Sequence, residues 1–455
     1  MKRIMFISAL LVSAATMLAD SFVLDSITYF ISSPTTVMVE DVDDEVRCVV
    51  LPSSVVHDGV SYALTSICYR AFDYCSELTK LVLPDCIEDI GSEAFLECTA
   101  LCSVRIPTNL KNMGESPFAD CTSLTEIIIP DGVTEITRYM FSDCWWLTEV
   151  SIPESVSKIG SHAFDGCTSL TSITLPKNLR EIGYYAFCRC SSLREVAIPA
   201  GITKIDVCAF ADCSSLEAVS LPAGVTMIGN YAFDGCCSLS TISLPEMLDT
   251  IGYYAFNGCT SLSTISIPNH VKEICYGAFF NTKLYNDSTN WRGNGLYIDR
   301  CLISVAKSHK GGYRIRPKTR LVAMGAFAQC DSVLAIAIPS SVSRIPDGMC
   351  CSCYSLADIR WHNGITNIGI YAFEDCRSLH KIRLPRSLNS IGEKAFISCS
   401  SLSFIAIPKS IRYLGSDVFK DCSSLTAIKY LGTRSQWDAI ENSEQIESSK
   451  IRTIR

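Results

Sequence analysis

Residues 167–187 read Cys-Thr-Ser-Leu-Thr-Ser-Ile-Thr-Leu-Pro-Lys-Asn-Leu-Arg-Glu-Ile-Gly-Tyr-Tyr-Ala-Phe, and the pattern begins again at Cys190. The same unit recurs every 23 residues along most of the 455-residue chain. A fixed period of this length is typical of a solenoid, in which each coil packs only on its neighbours. We therefore predict one elongated repeat domain, although the length alone would suit two or three compact domains.

A ladder of cysteines marks the coils. Fourteen cysteines stand at equivalent positions of the unit, here called the ladder cysteines: Cys75, Cys98, Cys121, Cys144, Cys167, Cys190, Cys213, Cys236, Cys259, Cys330, Cys353, Cys376, Cys399 and Cys422. Each has a phenylalanine three residues earlier, except Cys353, which has Cys350 there. With one further unit that ends at Thr282 and lacks the cysteine, fifteen units can be aligned.

Each residue type in the unit has a physical role. Ile173 and Leu175 alternate with polar residues, which predicts a short strand with one side inward. Pro176 ends this strand because proline has no amide hydrogen to donate. Leu179 and Ile182 predict a second inward segment, which is either another short strand or a tight turn.

The last part of the unit closes the coil. We expect Gly183 to supply backbone freedom at a corner, Phe187 to fill the centre, and Cys190 to act as a small buried hydrophobe. One coil cannot bury its apolar side alone, so coils stack at the strand spacing of about 4.8 Å. The expected fold is a mostly β, curved stack of about 15 coils of 23 residues. It has a concave parallel sheet, and short turns or second strands on the convex side.

The repeat has a beginning, an interruption and an end. Residues 1–19 predict a secretory signal, with Lys2 and Arg3 before a short apolar core, and the alternative is a buried strand or an uncleaved anchor. No other stretch approaches the length of a transmembrane span. The expected order is signal 1–19, N-terminal cap 20–48, first repeat array 49–281, basic insertion 282–312, second repeat array 313–431 and C-terminal cap 432–455. In the C-terminal cap, Trp437 and Ile440 are spaced to dock on the last coil.

The repeat unit resembles a known family. Its consensus, Ser-Leu-x-x-Ile-x-Leu/Ile-Pro-x-x-Val/Leu-x-x-Ile-Gly-x-x-Ala-Phe-x-x-Cys, closely resembles the BspA-like class of bacterial leucine-rich repeats over roughly residues 49–431. The opening at 51–67 is similar to that family's entry coil, and the insertion around 291–303 is similar to one that the family tolerates. The resemblance implies a curved leucine-rich-repeat solenoid and a secreted or surface protein. It also implies an adhesin role, because some members bind host matrix proteins or other cells.

Twenty-five cysteines in an exported chain would ordinarily predict disulfides. Equivalent side chains on stacked coils point in parallel, however, which is poor geometry for a disulfide torsion of about 90°. We therefore expect the ladder cysteines to be free, buried and structural. The cluster Cys350-Cys351-Ser352-Cys353 has the spacing of a metal or redox site, but Cys350 and Cys353 occupy packing positions of the unit, which favours a structural role.

The interruption carries the strongest local charge. Residues 283–320 contain nine basic and two acidic residues in a chain whose net charge is −8. Loops inserted into a regular scaffold often bind ligands, and the alternative is an ordinary solvated loop. The candidate ligand-binding residues of this segment are Trp291, Arg292, Lys307, Lys310, Arg314, Arg316, Lys318 and Arg320. We expect that neutralising Arg314, Arg316, Lys318 and Arg320 together weakens binding without unfolding the protein.

The outward positions beside each Ile-x-Leu pair change character along the chain. In the first array they are mostly small, with Glu126, Glu149 and Glu195 as scattered acids. In the second array they include four basic candidates for ligand binding, Arg360, Lys381, Arg383 and Lys429. A solvated face without a ligand is the ordinary interpretation, and binding of an anionic partner is the alternative.

Sequence motifs of catalysis are missing. The six histidines stand at unrelated places in the unit, and the sequence contains no His-Glu-x-x-His, Gly-x-Ser-x-Gly or phosphate-binding glycine loop. We therefore predict a protein that is not an enzyme and uses no cofactor. The acidic net charge gives no case for nucleic acid.

The leading hypothesis is a secreted or cell-surface protein that binds extracellular proteins or anionic glycans, in adhesion to host matrix or to other cells. The alternative is a structural surface or matrix component that acts through self-association.

Overall fold

The computed structural model describes residues 21–446 and 448–453. The predicted signal at 1–19 lies outside these residues. The described chain forms a β-solenoid of about 18 turns with a spacing of about 23 residues and little helix, which confirms the predicted fold class. The number of turns slightly exceeds the 15 aligned units, because segments at both ends and in the insertion also add parallel strands.

Each coil has three sides. The Ile-x-Leu strand forms the first side, here called the first face. Its strands are Cys48–Val50, Lys80–Val82, Ser103–Arg105, Glu126–Ile128, Glu149–Ser151, Glu195–Ala197, Ala218–Ser220, Gly311–Arg314, Val333–Ala337, Asp358–Arg360, Lys381–Arg383, Phe404–Ile407, Ala427–Tyr430 and Ile451–Arg452. The paired strands of this face are parallel. Along them exposed and buried residues alternate, which confirms that one side of each strand points inward.

A two-residue strand forms the second face of the coil, which confirms the second inward segment as a strand. These strands are Asp89–Ile90, Asn112–Met113, Glu135–Ile136, Lys158–Ile159, Glu181–Ile182, Lys204–Ile205, Met227–Ile228, Thr250–Ile251, Glu273–Ile274, Leu321–Val322, Arg344–Ile345, Asn367–Ile368, Ser390–Ile391 and Tyr413–Leu414. The Ala-Phe-x-x-Cys segment closes the coil as a turn, here called the turn side.

The first face is parallel but is not one continuous sheet. Its hydrogen-bonded ladders break after the strands 80–82, 149–151, 218–220 and 358–360. The widest break lies between 218–220 and 311–314, where the coils at 241–243 and 264–266 have no assigned strand. A cleft of about 450 Å³ opens between those two coils. Because a three-residue strand contributes so few ladder hydrogen bonds, a small separation of two coils is enough to interrupt the sheet.

Stacked phenylalanines form the axis of the core. In ten successive coils, from Phe72 to Phe279, the neighbouring ring centroids are 5.0 to 5.9 Å apart. Phe187 is fully buried between Phe164 at 5.2 Å and Phe210 at 5.3 Å. This arrangement confirms that the phenylalanine fills the centre of the coil.

The ladder cysteines are free and buried, as predicted. The Cys190 thiol donates a hydrogen bond to the carbonyl oxygen of Phe164 in the preceding coil, with a sulfur–oxygen distance of 3.2 Å. The same bond, at 3.0 to 3.2 Å, recurs in twelve coils. Each thiol therefore satisfies a buried backbone acceptor in addition to filling space.

The turn side requires two left-handed residues in most coils. One precedes the Ala-Phe pair and the other precedes the ladder cysteine, as in Tyr185 with φ 58° and Arg189 with φ 60°. Non-glycine residues occupy most of these positions, although glycine is the residue that favours this conformation. The sequence contained no strong signal for them, because the residue types vary from coil to coil.

Gly183 is required for a reason different from the one expected. Its φ is not positive, but a Cβ added to it would lie 2.6 Å from the backbone nitrogen of Ser161 in the preceding coil. Glycine at this corner therefore allows two coils to approach closely, and backbone freedom is not what selects it.

Antiparallel strands begin the described chain. Ser21–Leu24, Ile27–Ser33 and Thr36–Val42 form a meander, and the third of these pairs in parallel with Val60–Ile67. Val60–Ile67 also pairs with Ser54–His57 in a hairpin.

The C-terminal end continues the solenoid after a short helical excursion. It contains the helix Arg434–Asp438, the 3-10 turns Ser443–Gln445 and Ser448–Lys450, and the strand Ile451–Arg452 on the first face. Trp437 and Ile440 are buried, and the Trp437 ring packs on Tyr430 at 5.2 Å, as their spacing predicted.

The segment between the arrays is folded into the solenoid. It contains the helix Lys283–Asn286, the 3-10 turn Ser288–Asn290, and three antiparallel strands, Trp291–Arg292, Gly295–Ile298 and Cys301–Val305. The last strand is fully buried and pairs in parallel with Leu321–Val322. The predicted insertion is therefore not loop alone, because its apolar strand completes a coil.

Candidate ligand-binding face

The register of the second array brings basic residues into one line. Arg314 pairs with Ala337 and Ala337 with Arg360, and one period later Arg383 pairs with Ala406. Ala406 pairs with Lys429, and Lys429 with Arg452. We call these five basic residues, Arg314, Arg360, Arg383, Lys429 and Arg452, the basic column. At about 4.8 Å per coil, its seven positions cover about 29 Å.

All five side chains of the basic column are exposed on the first face. Arg360 forms an ion pair with Asp358, Nε to Oδ2 3.3 Å, between side chains that are 70% and 58% exposed. An exposed pair of this kind contributes little and leaves the guanidinium accessible. Among the described residues, no ion pair joins Arg314, Arg383 or Lys429 to an acid. The column is therefore a line of largely uncompensated positive charge.

Small residues separate the first two arginines of the column. Ala335, Ala337 and Gly312 line a cavity of about 180 Å³ between Arg314 and Arg360. Lys381, another candidate ligand-binding residue, is exposed at the start of the strand Lys381–Arg383, two residues before Arg383. The face therefore combines long cationic side chains with a recess that one anionic group can enter.

Several predicted residues of the segment 283–320 have structural partners instead. The Arg316 guanidinium lies 4.0 Å from the Tyr297 ring centroid and donates to the Arg292 carbonyl at 2.9 Å. Arg320 donates through Nη1 to the carbonyl of Val271 at 2.5 Å and through Nη2 to that of Pro268 at 2.6 Å, which ties the two arrays together.

Trp291 is also held in place. Its Nε1 donates to the Tyr285 carbonyl at 2.7 Å, and its ring packs edge-on against that tyrosine. Lys307 is exposed and donates to Gln329 at 2.6 Å. The remaining predicted residues, Arg292, Lys310 and Lys318, are exposed but are not part of the basic column.

These contacts bear on the predicted effect of neutralising four basic residues of the segment 283–320. We expected that replacing Arg314, Arg316, Lys318 and Arg320 together would leave the fold intact. Removing Arg320 takes away the donor to the Val271 carbonyl, while the Pro268 carbonyl still accepts from the Val271 amide at 3.2 Å. Loss of the Arg316 and Arg320 contacts should cost stability, so this combined substitution does not separate binding from folding. Arg314 is the only one of the four that belongs to the basic column.

The cysteine cluster serves packing. The Cys353 thiol donates to the Phe327 carbonyl at 3.0 Å, and the Cys376 thiol donates to the Cys350 carbonyl at 3.2 Å. The Cys351 thiol lies 3.1 Å from a carboxylate oxygen of Glu374. Burial raises the pKa of Cys351 to about 11. A raised pKa is unfavourable for a thiolate nucleophile or metal ligand.

The early coils present acids on the same face, after the basic Lys80 and Arg105 of the first coils. Glu126 lies beside Glu149 in the register, and Glu195 follows on a later coil. Between these acids and the basic column, the outward positions carry the small residues that the sequence predicted, such as Thr241 and Ser243. The first face therefore carries mixed charge in its first coils, small uncharged residues in the middle and mainly basic residues in the second array.

Sequence reasoning missed two groups of exposed residues. Arg452 was placed in a cap, and only the pairing of Ile451–Arg452 with the last coil shows that it continues the column. Trp145 and Trp146 have a sequence signal, because they interrupt positions that small residues occupy in the coils on either side.

The comparisons with known proteins agree with the fold. The family model described as BspA type leucine rich repeat region matches residues 65–194, 180–291 and 320–446 in six copies. The chain belongs to this family. The matched residues cover most of this BspA-type protein, as does the resemblance found in its repeat unit. Among curated proteins, none matches it.

Two solved structures illustrate the likeness. A leucine-rich repeat protein from Bacteroides ovatus is 26% identical, with a TM-score of 0.49, over 95% of this chain and 100% of that one. A leucine rich cell surface protein from Faecalibacterium prausnitzii is 27% identical, with a TM-score of 0.36, over 95% of this chain and 100% of that one. Within residues 21–446 and 448–453, no helix has the length and apolar character that crossing a membrane requires.

Proposed function

We propose that this BspA-type protein is a secreted or cell-surface binding protein whose basic column holds an anionic glycan. The observation that carries the proposal is the placement of five basic residues on one exposed face. One ladder aligns Arg314 with Arg360, a second aligns Arg383, Lys429 and Arg452, and the 23-residue period places the second ladder directly after the first. The predicted signal and the family membership support export. The role in adhesion to host matrix or other cells follows from the family resemblance.

A linear, regularly charged polymer suits the column better than a compact ligand. The charges are one or two coils apart, or about 5 and 10 Å, which is the scale of spacing between charged groups of an extended chain. Arginine offers paired donors to carboxylate, sulfate and phosphate groups. Because the side chains are exposed, we expect the affinity to fall as salt rises.

Protection from chemical labelling can locate the site. We would label the arginines of the full chain with phenylglyoxal, with and without a sulfated polysaccharide, and quantify each site by mass spectrometry. The proposal predicts protection at Arg314, Arg360 and Arg383. The exposed Arg105 and Arg194 of the first array serve as controls and should label equally in both samples. Equal labelling of all five arginines would contradict the proposal. Protection by an acidic protein alone would assign the face to a protein partner.

The structural alternative also has an observation in its favour. Two copies that meet through the first face in opposite directions would place Glu126 and Glu149 of one copy against the basic end of the other. Sedimentation velocity at about 50 mM and about 500 mM salt tests this pairing. Self-association at low salt that is lost in R360E/R383E and restored by adding E126K/E149K would support a structural role. A monomer at both salt concentrations would exclude it.

A further inference from the structure

Two adjacent tryptophans are exposed at a corner of the solenoid. Trp145 is 51% and Trp146 is 63% exposed, directly after the ladder residue Cys144. Indole rings bury large apolar areas in folded proteins, so an exposed pair is more informative than an exposed aliphatic residue. Among the described residues, neither ring stacks on another aromatic ring or on a cation.

The fold does not require tryptophan at this corner. The equivalent positions are Thr122-Ser123 in the preceding coil and Thr168-Ser169 in the following one. The Trp145 amide donates to the Asp143 carbonyl at 3.0 Å. In the next coil the Thr168 amide donates to the Gly166 carbonyl at 2.8 Å, which is the same turn. The backbone is therefore the same with either residue type, and the aromatic side chains add nothing that the coil needs.

Polar residues occupy the same turn and the equivalent positions of the two neighbouring coils. The Thr122 hydroxyl donates to the Thr99 carbonyl at 3.4 Å, and the Thr168 hydroxyl donates to the Trp145 carbonyl at 3.2 Å. Each hydroxyl oxygen keeps lone pairs that can accept a further hydrogen bond. The Asp143 carboxylate, which Arg189 contacts at 3.3 Å, belongs to the same turn as Trp145.

We propose that Trp145 and Trp146 form a binding platform for a neutral glycan. The C–H face of a pyranose ring stacks on an indole, while ring hydroxyls donate to Thr122, Thr168 and the Asp143 carboxylate. A protein hot spot is instead expected within a wider apolar patch that excludes water. Small hydroxyl residues border this pair, so a ligand that is itself half apolar and half hydroxylated fits better.

The platform is independent of the basic column. It lies on the turn after a ladder cysteine of the first array, whereas the column lies on the first face of the second array. The loss of one site should therefore leave the other intact, and the two proposals can fail separately.

The test uses a substitution that the repeat itself supplies. W145T/W146S gives this corner the residues of its two neighbouring coils, so the fold is retained. The matched control is Y354S, which replaces an exposed aromatic at the equivalent position of a later coil. The probes are neutral oligosaccharides of glucose, galactose, mannose and N-acetylglucosamine, and binding is followed by calorimetry with the full chain.

We expect at least one neutral oligosaccharide to bind, and W145T/W146S to weaken that binding by about tenfold or more. Y354S and the column variant R360Q/R383Q should bind the oligosaccharide like the wild-type protein. Three outcomes would overturn the proposal: no neutral oligosaccharide binds to the folded wild-type protein, W145T/W146S binds unchanged, or Y354S loses binding equally.

Discussion

The buried thiols connect single residues to stability. Burial raises the pKa of Cys144, Cys167, Cys190, Cys213 and Cys236 above the ordinary value of 9.0. The folded protein therefore keeps protons that the unfolded chain releases above about pH 9. Each such thiol lowers the free energy of unfolding by about 1.4 kcal/mol per pH unit in that range.

We predict a steep alkaline loss of stability that is absent below about pH 8. Urea unfolding of the reduced protein, followed at pH 7 to 11, measures it. C190A/C213A should show a weaker dependence on pH, because two of the thiols are gone. An unfolding midpoint that is the same at pH 7 and pH 10.5 would contradict the assignment of these cysteines as buried thiols.

We predict that truncating a stacked phenylalanine lowers the free energy of unfolding more where its ring is more deeply buried. Phe187→Ala should lower the free energy of unfolding by about 3–5 kcal/mol, because its ring is buried between two others. Phe419→Ala is the control and should cost less, since this ring is partly exposed and stacks on Phe396 alone among the rings described. Urea unfolding monitored by circular dichroism distinguishes the two. Equal losses would argue against the stack as the main source of the effect.

At the scale of the element, some turn-side residues have a left-handed backbone conformation that costs less with glycine. Ser398 has φ 59°, at the position where Gly166, Gly235 and Gly258 occur in other coils. Ser398→Gly should raise the free energy of unfolding by about 0.5–1 kcal/mol, because glycine adopts this conformation readily. Gly183→Ala should instead lower it by about 1–3 kcal/mol, since its Cβ would overlap the preceding coil. Thermal unfolding of both variants tests these opposite signs.

The coil could be predicted from the sequence in most of its detail. The 23-residue period identifies the inward Leu, Ile, Phe and Cys positions, because a residue type repeated at one place in every coil meets the same environment there. The left-handed residues escaped prediction because backbone conformation there is imposed by stacking and is shared by Tyr185, Arg189 and glycines alike. The contacts of Arg316 and Arg320 escaped for a related reason. Their hydrogen-bond partners are backbone carbonyls, which have no sequence signature.

At the scale of the whole molecule, the alignment of the coils decides where charge is concentrated, and the overall composition does not. The chain has a net charge of −8, yet one face of its second array carries a line of basic residues. The sequence identified Arg360, Arg383 and Lys429 individually. Only the pairing of Gly311–Arg314 and Ile451–Arg452 with neighbouring coils shows that Arg314 and Arg452 extend the same line. The first face therefore carries a line of positive charge that no single segment reveals.

The most direct test is the affinity of the full chain for a sulfated polysaccharide, measured for three proteins at about 50 mM and about 150 mM salt. They are the wild type, the column variant R314Q/R360Q/R383Q/K429Q, and the control K111Q/K177Q/R194Q/K272Q, which removes the same charge from exposed positions of the first array. We predict salt-sensitive binding that the column variant weakens by about tenfold or more and that the control leaves nearly unchanged. Equal losses in both variants, or no binding by the wild type, would contradict the basic column as the binding site.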